Sequence, residues 1–360
     1  MAVLDNRALN RASLARQFLL RPTDLAPRDV VAHLCGMQAQ EPQEPFVGLW
    51  SRLRAFDPAE LSDLLSRRRV VRTHLMRRTI HLMAAEDVLS WRSRHDKMLL
   101  RRVLGVYRSE LDEVDLDELA EAGREVLAGD EPHSQAELAK ALAHRWPGRS
   151  PRALGEALVG ALIPMVQVPP RGLWRTGGAA RYLPVSSWLG REVDPESPDD
   201  EAGQELVRRY LAAYGPAATA DIRAWSGLAA LPGAVKAVRD ELVSFRDERG
   251  RELLDLPGAP RPDPDEPAPV RFLPAFDNAI LGYDDRSRIV DLEHRGLSVA
   301  GERVVLVDGR VAGTWKFAEE AVSVTPLRPL SPRERADLVE QGGEVAMFLS
   351  GGTSDRADVI

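Results

Sequence analysis

"VVRTHLMRRTIHLMA", residues 70–84, holds two short runs of β-branched and apolar residues around a basic turn, "MRRT". Val, Ile and Thr suit a pleated strand, so the stretch predicts a β-hairpin. The residues before it read as helices. "LNRASLARQFLL" (9–20) has helical apolar spacing with Asn10 as its N-cap, and "APRDVVAHLCGM" (26–37) follows with Asp24 near its start. "DPAELSDLLSRRR" (57–69) places Asp57 at the N-cap and Pro58 at the first helical position. Helices followed by a hairpin are the plan of a winged-helix domain.

The plan recurs twice. "DLDELAEAGREVLAG", "SQAELAKALAHRWPG" and "SPRALGEALVGALIPM" are helical stretches that lead into "VQVPPRGLWRTGGAARYLP", a β-like segment turning through "TGGA". A third round runs from "AGQELVRRYLAAYGP" to a hairpin in "VSFRDERGRELLDL". "PGAPRPDPDEPAP" (257–269) then reads as a linker or a long ordered loop. Beyond it, "VRFLPAFDNAILGY", "RVVLVDGRVAGTWKF" and "AVSVTPLRPL" are β-rich, with a turn at Asp308 and Gly309, and a last helix precedes a polar tail. The expected class is α+β: winged-helix domains at 1–110, 111–195 and 196–258, then a linker, small β-barrel and helix over 259–360.

Composition sets the function classes. The 360 residues are 44% apolar, enough for several domains. No run of about 18 apolar residues suggests a membrane span. The lone Cys35 and a start without signal-peptide layout point to a reducing cytoplasm. Net charge is -7, but residues 1–110 carry 19 Lys+Arg against 12 Asp+Glu, while the rest carries 29 against 43. The first third is therefore the part suited to nucleic acid. Residues 64–85 contain no acid and hold Arg67, Arg68, Arg69, Arg72, Arg77 and Arg78, with His74 and His81 nearby. Such a cluster suits DNA phosphates. It is equally the composition of a solvated basic face, or of arginines paired with acids elsewhere in the chain.

Templates for nucleotide, metal and Ser-nucleophile chemistry are absent, so neither cofactor nor metal is expected. Two other stretches carry polar groups in suggestive places. In "GMQAQEPQEPF" (36–46), Gln38 and Gln40 share one side if the chain is extended there, as Pro42 and Pro45 favour. Two amides could hold a water or a base edge, or merely tie down a loop. They cannot take a proton as a carboxylate can, so any chemistry they do rests on positioning and partial charge, with a leaving group already good. "FDN" (276–278) sets Asp277 and Asn278 beside an aromatic, as a contact site or as a turn with side-chain bonding.

Several of these stretches also resemble one known family. "NRASLARQFLL", "GMQAQEPQEPFVGLWSRL", "RTHLMRRTIHLM", "QVPPRGLW", "YLAAYGPAATADIRAWSGL" and "RFLPAFDNAILGY" are similar, in order and from about residue 8 to 348, to winged-helix DNA glycosylases of the AlkZ and YcaQ branches. The resemblance implies three tandem winged-helix domains around DNA and excision of bulky or crosslinked N7-alkylpurines, including natural-product adducts. Gln38, Ala39 and Gln40 match the glutamine, apolar, glutamine motif of the AlkZ branch, whereas the YcaQ branch has aspartate last. On this likeness Gln38 and Gln40 are the catalytic pair. Arg72, His74, Arg77, Arg78, Thr79 and His81 would hold DNA backbone, with Asp277 and Asn278 on the opposite side. The expected partner is double-stranded DNA carrying an alkylated purine, and the expected state is a monomer that needs no protein partner. A regulator or drug-resistance factor that binds DNA without chemistry is the alternative, although no dimerisation helix stands out.

Overall fold

The computed structural model describes residues 2–229 and 231–360 as a mixed α+β fold with three sheets. The first contains β1 (Val3–Leu4), β7 (Val243–Asp247) and β8 (Glu252–Asp255) in the order β1-β7-β8. The second is antiparallel and built from β2 (Met37–Gln38), β3 (Val70–His74), β4 (Ile80–Ala84), β5 (Met165–Gln167) and β6 (Tyr182–Pro184), ordered β2-β4-β3-β5-β6. The third comprises β9 (Arg271–Phe272), β10 (Val304–Val307), β11 (Arg310–Ala318), β12 (Ala321–Pro326) and β13 (Arg356–Val359), ordered β13-β12-β11-β10-β9.

The hairpin expected at residues 70–84 is β3–β4, but it does not project. Its turn, Met76–Arg78, is a single 3-10 turn whose Met76 is fully buried in the largest apolar cluster. β5 adds to the free edge of β3, so the sheet crosses the boundary expected at residue 110. The helix after the hairpin, Ala85–Tyr107, buries Trp91, Met98, Leu99 and Val103 in that same cluster. Tyr210, Tyr214 and Trp225 join it from the helices Glu201–Tyr214 and Thr219–Ser226. Tyr210 and Tyr214, one helical turn apart, stack at 4.8 Å, a pairing worth about 0.5–1.5 kcal/mol beyond burial.

Local signals explain many of the boundaries. Asp57 caps the helix Pro58–Ser66 through Ala59 N at 2.8 Å, with proline first. Asp308 and Gly309, at φ 46° and 79°, reverse β10 into β11, as a two-residue hairpin turn requires. The proline-rich 257–269 segment is an ordered strap, tied where Arg21 meets Glu266 at 2.6 Å and Arg11 Nε donates to the Glu266 carbonyl at 2.6 Å.

Four expectations are corrected. Asp5, accepting from Ala8 N at 2.7 Å, caps the first helix (Asn6–Arg16). Asn10 is buried inside that helix, and its Nδ2 donates to the Arg288 and Gly309 carbonyls. The β-prone "VRFLPAFDNAILGY" is mostly not strand: after β9 it turns at Phe276 (φ 61°) into a short helix, Asn278–Leu281. The polar tail forms β13, which runs parallel to β12 and covers its edge. The C-terminal sheet is a half-barrel, because β9 and β13 remain unpaired with each other. Among the described residues no helix is long and apolar enough to cross a membrane.

Candidate active site

A sharp backbone reversal delivers the "QAQ" stretch to the second sheet. The helix Pro27–His33 ends, and Cys35 and Gly36 both adopt positive φ, 55° and 90°. Gly36 has no alternative: a Cβ there would lie 2.1 Å from Met83 Sδ. The chain then extends along β4, with Gln38 opposite His81 and Ala39 N donating to Ile80 O at 2.8 Å. Buried Arg72 reaches across from β3 and donates Nη2 to Ala39 O at 2.9 Å. The extension expected before Pro42 and Pro45 is shorter than that: β2 ends at Gln38, Ala39 continues its pairing, Gln40 lies at a bend, and Pro45 sits in the first turn of the helix Glu44–Trp50.

The two amides are oriented by donors. Gln38 Oε1 accepts from Arg77 Nη2 at 2.8 Å, and Gln40 Oε1 accepts from Ile80 N at 3.3 Å. Guanidinium and backbone N–H can only donate, so each amide oxygen faces its partner and each NH2 turns away. A carbonyl oxygen keeps a second lone pair, which leaves each amide able to accept from a water. Gln38 is 9% exposed, whereas Gln40 is open to solvent. No carboxylate hydrogen-bonds either amide among the described residues.

Arg77 is the hub of this arrangement. Its backbone is left-handed, φ 57°. Besides Gln38 it donates to Trp225 O at 2.5 Å and to Asn278 Oδ1 at 3.3 Å. One guanidinium thus joins the β3–β4 hairpin, the helix Thr219–Ser226 and the "FDN" turn. Burial lowers its pKa to about 10, still cationic at neutral pH, and it has no carboxylate partner among the described residues. Asn278 Nδ2 is buried with no hydrogen-bond partner among the described residues. Asp277 does not face outward: it is 6% exposed, grips Arg52 with both oxygens at 2.8 and 2.9 Å, and caps the Asn278 helix through Ala279 N at 2.7 Å. The other nearby acid, Glu44, is buried and held by Arg303 at 3.0 Å and by Ala275 N at 2.6 Å.

The expected DNA-backbone set is redistributed. Arg72 is 1% exposed; burial and the nearby Arg171 charge lower its pKa to about 10, and it braces β2 instead of reaching a phosphate. Arg78 is paired with Glu156 at 2.6 Å, the acid of a later segment. His81 is fully buried, its Nδ1 donates to Thr79 O at 3.0 Å, and burial pushes its pKa to about 3. His74 is partly buried, with burial and the charges of Arg78 and Arg92 lowering it to about 4. Neither imidazole is a cation at neutral pH. Thr79 Oγ1 bonds Met76 O at 3.2 Å within the turn. The rest of the basic run is occupied too: Arg67 pairs with Asp63, Arg69 with Glu86, and Arg68 lies 4.3 Å over Trp188. Of the six arginines in the acid-free stretch, Arg77 is the cation left facing the glutamines. Arg52, Glu44 and Arg303 escape a reading by sequence because their partners lie more than 200 residues away, where no spacing rule operates.

Comparison with known proteins places this geometry. The family model described as DNA glycosylase AlkZ-like matches residues 31–348. The chain belongs to the AlkZ-like DNA glycosylase family. AlkZ-like glycosylases hydrolyse N-glycosidic bonds in DNA, and this chain is such an enzyme. An interstrand DNA cross-link repair glycosylase of Streptomyces sahachiroi is 27% identical over 338 residues, spanning 87% of this chain and 88% of its own. The solved structure of Streptomyces sahachiroi DNA glycosylase AlkZ superposes with a TM-score of 0.76 at 23% identity, covering 99% of this chain and 100% of that one. The mixed fold and the half-barrel are therefore those of the AlkZ-like architecture. Among the described residues no three His, Cys, Asp or Glu side chains converge as metal ligands.

Proposed function

We propose that this AlkZ-like chain is a monofunctional glycosylase that removes N7-alkylated purines, including bulky and crosslinked adducts of natural genotoxins, from double-stranded DNA. The observation that carries the reading is the "QAQ" pair: two amides at the end of a strand, each oriented by a fixed donor, with the buried acids beside them committed to Arg52 and Arg303. Such a site positions water and offers carbonyl partial charge, and it has no strong base to give. It suits a base whose departure needs little assistance. Alkylation at N7 makes a purine cationic, and its glycosidic bond opens toward an oxocarbenium sugar with a neutral leaving group.

In this mechanism Gln38 and Gln40 accept from the attacking water through their remaining lone pairs and aim its oxygen at C1′. Their carbonyl dipoles favour the positive charge that develops on the deoxyribose. Arg77 holds Gln38 and Asn278 in register. The cross-link repair function named for the Streptomyces sahachiroi relative supports an adduct larger than methyl. Three tandem winged-helix units within 1–258, acting as a monomer in the cytoplasm without a protein partner, complete the reading; Asn278, as buried as Asp277 but with its Nδ2 unpartnered among the described residues, is the proposed DNA contact of the C-terminal half.

Base release from matched duplexes tests it. N7-methylguanine DNA should yield free base and alkali-labile sites, and duplexes carrying uracil or 8-oxoguanine, whose bases leave as poorer groups, should yield neither. Release of the neutral lesions at comparable rates would demand a proton donor that the glutamines cannot be. Failure on every N7 adduct, with DNA binding intact, would favour a binding protein without chemistry.

A further inference from the structure

Within the acid-free stretch Arg72 and Arg78 are engaged inside the protein, and Arg77 is the arginine beside the glutamines. Arg77 sits close enough to Arg102 and Arg286 for their charges to oppose its own. Arg102 is exposed on the helix Ala85–Tyr107 and forms no ion pair among the described residues. Arg286 is partly buried; it donates to Tyr283 O and to Arg295 O, both at 3.4 Å, and Arg295 is exposed without an acid partner among the described residues. Asp284 attracts Arg286 without forming an ion pair. Beyond them opens a cleft lined by Arg249, Arg251, Arg286, Arg295 and by Asp284 and Asp285. Asp285 is engaged by Arg249 and by Arg251 at 2.6 Å, and Arg251 also holds Asp247 at 2.6 Å. The cations therefore outnumber the acids, and those nearest Arg77 are the unpaired ones.

Like charges gathered from separate segments repel, and a fold keeps them together at a cost unless an anion joins them. Resting on the glycosylase reading, we propose that Arg77, Arg102, Arg286 and Arg295 form one phosphate track, running from the glutamine pair into the cleft between the β7–β8 turn and residues 284–295. The ligand is the phosphodiester backbone of the DNA strand next to the lesion. The track also resolves a conflict at the site. A lone guanidinium 2.8 Å from Gln38 would oppose a positive sugar, and a phosphate on Arg77 neutralises it.

The test is the salt dependence of binding to an undamaged, fluorescein-labelled duplex of about two helical turns. Every phosphate that the protein ceases to neutralise lowers the slope of log affinity against log salt by about 0.9. Arg286→Ala with Arg295→Ala in the full-length chain should lower it by nearly two units. Arg286→Lys with Arg295→Lys should restore most of it, which separates missing charge from misfolding. Arg21→Ala, at an exposed arginine paired with Glu266, serves as the control and should leave the slope alone. An unchanged slope in the doubly substituted, folded protein overturns the track. The glycosylase reading stands or falls separately. Base release by the wild type with an unchanged slope removes the track alone, and a lowered slope without base release from any N7 adduct removes the chemistry alone.

Discussion

Replacing Asp277 by alanine separates a buried strut from a DNA contact. In the structure both partners of the Arg52–Asp277 pair are almost entirely enclosed, with side chains 1% and 3% exposed. Removing the carboxylate strands a guanidinium in the interior, which costs about 3–5 kcal/mol, and deletes the cap of the Asn278–Leu281 helix, worth about 1 kcal/mol. The sum is about 4–6 kcal/mol. With a urea dependence of about 3 kcal/mol per molar, the unfolding midpoint should fall by roughly 1.3–2 M. Asp63→Ala is the internal reference, because its pair with Arg67 has side chains 52% and 74% exposed and contributes no more than about 0.5 kcal/mol. Replacing both members, Arg52→Met with Asp277→Leu, should recover much of the stability, since a buried pair is costly chiefly when it is half removed. If Asp277→Ala melts with Asp63→Ala, and its defect is instead in DNA affinity, the strut is wrong and the outward-facing reading of "FDN" is right.

Three further outcomes follow from the same geometry. Gly36→Ala should cost about 1–3 kcal/mol and lower base release along with it, as read by urea unfolding and single-turnover rates, because φ is +90° and the new Cβ meets Met83 Sδ. Acidification should destabilise the fold through His81 and His95, both fully buried, whose pKa values burial holds near 3 and 4 against about 6.5 unfolded. Between those values the unfolded chain binds the extra protons, so stability falls as pH drops through 6.5; from pH 7 to 5 each contributes a decrease of about 2 kcal/mol, measurable by urea unfolding and lessened in His81→Leu. Cys35 is fully buried, and burial raises its thiol pKa to about 12, so a thiol reagent should label it only as fast as the protein unfolds.

Local chemistry made much of this architecture legible. The Asp57–Pro58 helix start, the Asp308–Gly309 turn and the β3–β4 hairpin are each fixed by residues a few positions apart, and sequence shows those directly. The extension expected at "QAQ" was legible only in part, since β2 ends at Gln38 and Pro45 starts a helix. What was not legible is where the side chains go once distant segments meet. "MRRT" looks like an exposed basic wing because no acid is near in sequence. In space, Glu156 takes Arg78, and the carbonyl of Trp225 with Asn278 takes Arg77. Arg72 looks identical to its neighbours in composition, yet strand alternation and the β5 edge enclose it. Asp277 reads as a turn residue, and it is one, but its main partner is 225 residues away.

The central claim is that two amides perform the chemistry. Single-turnover release of N7-methylguanine from duplex DNA, compared between the wild type and Gln38→Ala with Gln40→Ala, tests it most directly. Removing pre-organised positioning and charge stabilisation of this kind costs about 10²–10³ in rate. The account predicts a fall of that size with undamaged-duplex affinity held within about threefold, since neither glutamine is assigned a phosphate. Base release at the wild-type rate by the doubly substituted enzyme would contradict it.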